Sequence, residues 1–161
     1  MVVLTPGRGT VSMIDVVWAV LLQDNRFLLA QRSLNNRDGG TWVFPGGKID
    51  PEDKTAVDAV YKELKKEVGL KGKQFRKIFH ILLGKYRVQV FLCNKWSNLP
   101  SPACEYIIGV GWFTLPEMYA LGQTLSPFAN STLPYLAYMM QHYNSHSEDW
   151  HEPWEECDGN V

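Results

Sequence analysis

The chain predicts an α/β domain in which a mixed β-sheet is covered by helices on both faces. Three observations predict it. β-Branched and apolar runs of strand length alternate with turn residues. One longer stretch carries apolar residues at every fourth position, as an amphipathic helix requires. The strands are also interleaved with two main helices rather than segregated from them. At 161 residues, 45% of them apolar and 20% charged, the chain can bury a core as one domain. That domain is expected to span residues 1–144, with a separate tail over 145–161.

Residues 14–22 (IDVVWAVLL) and 26–31 (RFLLAQ) flank the turn-forming pair Asp24-Asn25 and read as a hairpin of two well-buried strands. Residues 33–40 (SLNNRDGG) form a polar loop, and Trp42, Val43 and Phe44 a short strand stopped by Pro45 and the glycines after it. The long helix begins near 53–55 and runs to about 68, with Ala56, Val60, Leu64 and Val68 as its apolar stripe. Gly69 is placed to end it in a left-handed cap. Residues 75–83 and 86–93 read as a second hairpin around Gly84-Lys85, followed by a Pro-containing loop over 96–104 and a strand over 107–113. Thr114 caps a short helix with Pro116 and Glu117 in its first turn, and a last helix covers 131–143. The tail (SHSEDWHEPWEECDGNV) is acidic and reads as mobile or loosely docked, with Trp150 and Trp154 arguing against simple disorder. No internal repeat is present.

Composition excludes several function classes. No apolar run approaches the roughly 18 residues of a membrane span, and the opening MVVLTPGRGTVSM lacks the order of a secretory signal. Cys93, Cys104 and Cys157 are odd in number and not spaced for a metal, so free thiols in a reducing cytoplasm are expected. Residues 1–95 hold all 16 basic residues against nine acids, net +7, whereas 96–161 hold eight acids and no Lys or Arg, net −8. This polarity points either to an anionic ligand on the first part or to mutual neutralisation in the fold. The balance does not support stable nucleic-acid binding. The partner expected is a small molecule, with no membrane association and a homodimer left open.

The chemistry is concentrated in residues 46–70, GGKIDPEDKTAVDAVYKELKKEVGL. Residues three and four apart share a helix face, so Glu63, Lys66 and Glu67 line up opposite the stripe of Ala56, Val60 and Leu64. Two like charges one turn apart destabilise an open helix surface by about 0.2–0.5 kcal/mol. The pair makes sense beside a cation, and carboxylate oxygens suit Mg2+ or Mn2+. The alternative is a solvated face on which Lys62, Lys65 and Lys66 balance the acids. Against it stand the adjacent glycines of FPGGK, which allow close backbone approach to a ligand, and the terminal Gly69-Leu70.

This segment resembles the Nudix box of MutT-like pyrophosphohydrolases, G-x5-E-x7-R-E-U-x-E-E-x-G-U, where U is a bulky aliphatic residue. The resemblance implies an α/β/α sandwich around a mixed sheet. It makes Gly47 the first glycine of the box and the Gly46 carbonyl a metal ligand. Glu63 matches the first glutamate of the helical core, a ligand or general base, and Glu67 the last, a metal ligand. Leu64, Gly69 and Leu70 match directly. Three positions depart. Lys62 stands where the family has Arg, and supplies charge without its planar fork. Lys66 replaces the middle glutamate with the opposite charge. One residue more than the consensus allows separates Gly47 from Lys62, so either Glu52 or Asp53 fills the first acidic position.

Outside the box the same resemblance places Arg32 where a basic residue can meet a phosphate, and in the hydrolase reading Lys48, beside the glycines, contacts phosphate with it. It places Glu105 as a further metal carboxylate, with a register uncertain by about a residue. Asn130 is implied as a reader of a purine edge, against the competing role of N-cap of the last helix. Phe44, Trp18 and Phe128 can stack on a base or belong to the core, and His80 reads as structural. The function expected is metal-dependent hydrolysis of a nucleoside diphosphate-linked substrate. A nucleoside triphosphate is favoured, an oxidised purine among the candidates, giving monophosphate and pyrophosphate. The alternatives are a Nudix domain that binds a nucleotide or protein without catalysis, and an enzyme for a sugar-linked diphosphate. In the catalytic reading Glu63, Glu67 and Lys66 carry the chemistry, Lys66 stabilising phosphate charge.

Overall fold

The computed structural model describes residues 2–5 and 9–142, with side chains from residue 12 onward. The acidic tail expected over 145–161, with its tryptophans, histidines and Cys157, lies outside the described residues.

The strands are β1 (Val2–Thr5), β2 (Gly9–Ser12), β3 (Ile14–Gln23), β4 (Arg26–Arg32), β5 (Trp42–Val43), β6 (Gly46–Lys48), β7 (Lys71–Leu83), β8 (Tyr86–Ser97) and β9 (Ile107–Phe113). The helices are α1 (Ala56–Val68), α2 (Leu115–Ala120), α3 (Pro127–Asn130) and α4 (Leu133–His142). β1 and β2 form a hairpin of their own. The other seven strands make one mixed sheet along β5-β4-β3-β8-β7, with β6 added to β3 and β9 to β4. β3 is its axis: residues 14–21 run parallel to β8, residues 16–18 pair antiparallel with β6, and Leu22 and Gln23 pair with β4. Asp24 and Asn25 both have positive φ, 52° and 61°, the left-handed pair that a two-residue hairpin turn needs.

Side chains alternate across each strand, which splits the core into two layers. Val17, Ala19 and Leu21 of β3, with Leu28, Ala30, Phe91 and Cys93, pack beneath Val60, Leu64 and Val68 of α1. On the other face Val20, Phe27, Leu29, Val88, Val90 and Leu92 meet Met118, Leu133, Leu136 and Met139 of the later helices. The three-layer arrangement expected from the sequence is therefore present. α1 is defined at both ends: Thr55 and Asp58 exchange N–H donations in a capping box, each 3.1 Å, and Gly69 closes the helix at φ 73°.

The structure departs from the sequence reading in five places. The β1–β2 hairpin was not foreseen. Residues 46–48, expected as a turn, form β6, because Gly46 and Gly47 have no side chains to hold them off β3. β7 and β8 run from Lys71 and to Ser97, since pairing continues through Gly72, where the Phe75 ring and Cys93 fill the space of a side chain. Asn130 ends α3, its N–H donating to the Ser126 carbonyl, so it does not cap the last helix. His80 is exposed, because β7 is an edge strand.

Asp15 and Arg87 are register partners on β3 and β8, joined by two hydrogen bonds of 2.6 and 3.0 Å. The guanidinium holds the Asp15 carboxyl below its ordinary value. The stability this adds is present above the unfolded-state value of about 4 and is lost as pH falls through the lower folded-state value. Asp15→Asn is therefore expected to lower the melting temperature at neutral pH. Thermal melts should show that deficit shrinking as pH falls below about 4 and through the lower folded-state value.

Candidate active site

β6 carries the glycines across the C-terminal half of α1, and this crossing builds the site. A Cβ on Gly46 would lie 2.1 Å from the Val17 carbonyl oxygen, and one on Gly47 would lie 2.7–3.0 Å from the Glu63 carboxyl group. Gly46 thus sits where only glycine fits, while a side chain at Gly47 would have to displace the Glu63 carboxylate. The Gly46 N–H donates to Glu67 Oε1 at 2.8 Å, tying the strand to the helix. Glu63 is 4% exposed and Glu67 half-buried, so the pair does not stand on an open helix face as the spacing alone implied. β6 covers that face instead.

The lysines of α1 divide the acids between them. Lys62 Nζ lies 2.7 Å from Asp50 and 2.9 Å from Asp53, whereas Glu52 is exposed, so Asp53 is the acid that faces the lysine. Burial works against the Lys62 ammonium, but the hydrogen bonds to Asp50 and Asp53 hold it above its ordinary range. Lys66 Nζ lies 3.3 Å from Glu63 Oε2 and 3.5 Å from Oε1. Burial raises the Glu63 carboxyl, opposed by Lys66. Burial pushes Glu67 up to about 7, opposed chiefly by the Gly46 N–H. Burial outweighs these compensating groups, and a cation beside Glu67 would favour its charged form.

The cleft beside these groups has two parts. A cavity of about 200 Å3 is lined by Val16, Trp18, Phe44, Leu83, Val88 and Ala129, with Tyr86 and Phe128 at its rim. Trp18 and Phe44 sit 5.9 Å apart, as do Tyr86 and Phe128, the latter edge to face. The second part is an open, polar shelf that includes Asn36, Arg37, Asp50, Glu63 and Lys66. Arg32, the strand Gly46–Lys48 and Glu67 border both. Arg32 reaches this border from the β-bulge at Gln31/Arg32, and its Nε is buried with no hydrogen-bond partner in the protein.

The structure brings together Arg32, Phe44, Gly46, Lys48, Glu63, Lys66 and Glu67. It leaves out two expected residues. Glu105 is exposed and outside the lining, and its neighbour Tyr106 is there instead, fixed by the bond from the Ser33 N–H to the Tyr106 carbonyl at 2.8 Å. Asn130 is also exposed and outside it, because Phe128 and Ala129 are the residues of the short α3 that turn toward the cleft. Tyr86, Tyr106, Ser126 and Asp38 line the cleft and were missed; no local motif marks them. Among the described residues no three His, Cys, Asp or Glu side chains converge as a metal cluster. The donors at hand, Glu63, Glu67 and backbone carbonyls of the glycine strand, fit a hard divalent ion that keeps much of its water.

Comparison with known proteins agrees with this architecture. Residues 13–136 match the family model described as NUDIX domain. The chain is 39% identical over 61 residues to a CTP pyrophosphohydrolase of Escherichia coli, covering 38% of this chain and 44% of that protein. It is 32% identical over 78 residues to an 8-oxo-dGTP diphosphatase of Proteus vulgaris, covering 46% of this chain and 69% of that protein. A MutT NUDIX hydrolase structure from Burkholderia pseudomallei superposes with a TM-score of 0.67 at 24% identity, over 76% of this chain and 97% of that one, a likeness of fold.

The two glycines are expected to respond differently to Ala. Gly46→Ala pushes against the Val17 backbone and should break the β3–β6 pairing, lowering the melting temperature strongly. Gly47→Ala meets a side-chain terminus that can move, so the fold should persist while the Glu63 carboxylate is displaced. Melting curves with amide-exchange protection of residues 16–18 will separate these outcomes; equal effects of the two changes would contradict the geometry.

Proposed function

This chain belongs to the NUDIX family, and from that premise we propose that it is a divalent-metal-dependent pyrophosphohydrolase of nucleotides. The observation that supports the reading is the adjacency of an aromatic cavity and a charged shelf across one strand, Gly46–Lys48. A nucleoside triphosphate spans two such regions: an apolar base with a π face, and a polyphosphate that needs cations. Members of the family generally use divalent metals, and Mg2+ or Mn2+ is the ion proposed here. Glu67 and the Gly46 carbonyl would hold it, with Glu63 as a ligand or as the base. When bound, such an ion supplies charge neutralisation at the phosphates.

The chain's own residues do the rest. Trp18, Phe44 and Phe128 enclose the base; Phe128, 43% exposed, is free to close on it. Arg32 offers a buried, unpartnered Nε at the border, where a phosphate oxygen would satisfy it. Lys48 stands exposed beside it. Water adds to a phosphorus of the chain and the phosphoanhydride bond breaks, giving a nucleoside monophosphate and pyrophosphate. The named relatives, one acting on CTP and one on 8-oxo-dGTP, support a nucleotide and leave pyrimidine and oxidised purine as the two candidates. Neither Glu105 nor Asn130 enters this proposal.

A panel of nucleoside triphosphates and sugar-linked diphosphates, assayed with Mg2+ and with Mn2+, tests it. Turnover of at least one nucleoside triphosphate is expected, with Glu67→Gln and Glu63→Gln each lowering kcat by about 100-fold or more while the fold is retained. The Lys66–Glu63 pair favours one competing reading, a nucleotide-binding domain without catalysis. Tight nucleotide binding that ignores metal, with no turnover on any substrate, would establish that reading instead.

A further inference from the structure

We propose that Lys66 is a built-in counter-cation that limits the cleft to a single divalent ion, held on Glu67 and not on Glu63. The proposal rests on the hydrolase reading only for the place of the metal site. Its evidence is the way the three charged groups are arranged.

Glu63 is already occupied. Lys66 Nζ approaches both of its carboxylate oxygens, at 3.3 and 3.5 Å. On the other side the carboxyl group lies against Gly47, so closely that a single added carbon would sit 2.7 Å from it. An ion that coordinated Glu63 would have to displace an ammonium from a buried partner. Glu67 differs: one oxygen accepts the Gly46 N–H, and no salt bridge reaches it among the described residues. Glu67 and the glycine strand therefore form the part of the site whose carboxylate is in no ion pair.

Charge counting gives the same answer. Glu63, Glu67 and Lys66 together carry −1, which one divalent ion more than neutralises. A second dication would enter a site already positive, next to an ammonium paired with Glu63. The middle position of the helical triad is a lysine, and no third acid converges here among the described residues. In the substrate complex the ammonium on Glu63 then faces the phosphates on the shelf and does electrostatically what a second ion would do.

Mn2+ binding, counted by electron paramagnetic resonance or calorimetry without nucleotide, tests this apart from turnover. The parent is expected to bind one Mn2+ per chain. Glu63→Gln should keep that stoichiometry, and Glu67→Gln should abolish it. Lys66→Glu, on an exposed helix position, should raise it to two. Two or more ions in the parent, loss of the ion in Glu63→Gln, or a single ion in Lys66→Glu would each overturn the proposal. A parent that binds none but hydrolyses nucleotide would overturn both this and metal dependence. Failure of the nucleotide panel with one bound Mn2+ would leave the proposal standing and sink the hydrolase reading alone.

Discussion

The close passage of Gly46 and Gly47 between β3 and α1 is the constraint on which the rest of the site depends. The β3 backbone at Val17 and Trp18 leaves no room for a Cβ at Gly46, and the Glu63 carboxylate of α1 takes the room at Gly47. Because the strand comes this near, the Gly46 amide can meet Glu67, and Glu63 is driven into the interior. The same strand forms the border between the aromatic cavity and the polar shelf. A wider turn would loosen the acids, separate the two parts of the cleft and unpair β6 at once.

That closeness has an electrostatic consequence. Burial raises both Glu63 and Glu67, and each finds a different compensation. Glu63 takes the Lys66 ammonium; Glu67 takes an amide hydrogen bond, with Lys66 and Arg32 acting on it only at longer range. One acid is thus ion-paired within the protein and the other is not. Buried charges without partners are costly in a protein that has no use for them, which is why the unequal treatment of two neighbouring glutamates reads as function rather than accident.

What could be read from the sequence follows a physical divide. Periodic and capped elements were legible: α1, with its four-residue stripe, Thr55 and Gly69, and β9 fell within a residue or two of expectation. β6 was not, because a glycine pair signals only conformational freedom; that it pairs with β3 depends on what lies opposite. In the cleft, the residues expected on α1 and β6 lie together because their spacing along one element fixes their spacing in space. Glu105 and Asn130 lie outside the cleft lining because each sits on a loop or short turn, where a shift of one residue turns the side chain away. Tyr86 and Tyr106 were invisible for the same reason, as they reach the cleft only through strand pairing and a loop bond distant in sequence.

The departures in the helix also explain one another. An Arg fork needs one carboxylate at a set distance and angle, and the additional residue before Lys62 disturbs that distance. An ammonium has no such plane; it is a point charge that accepts several oxygens around it. Lys62 accordingly holds both Asp50 and Asp53, closing a loop of altered length with two acids where a fork would use one. Four residues on, Lys66 uses the same tolerance to sit on both oxygens of Glu63. One lysine therefore secures the loop that leads into α1 and the other occupies the acid at its centre. The two lysines thus pair Asp50, Asp53 and Glu63, and Glu67 is held instead by the Gly46 N–H.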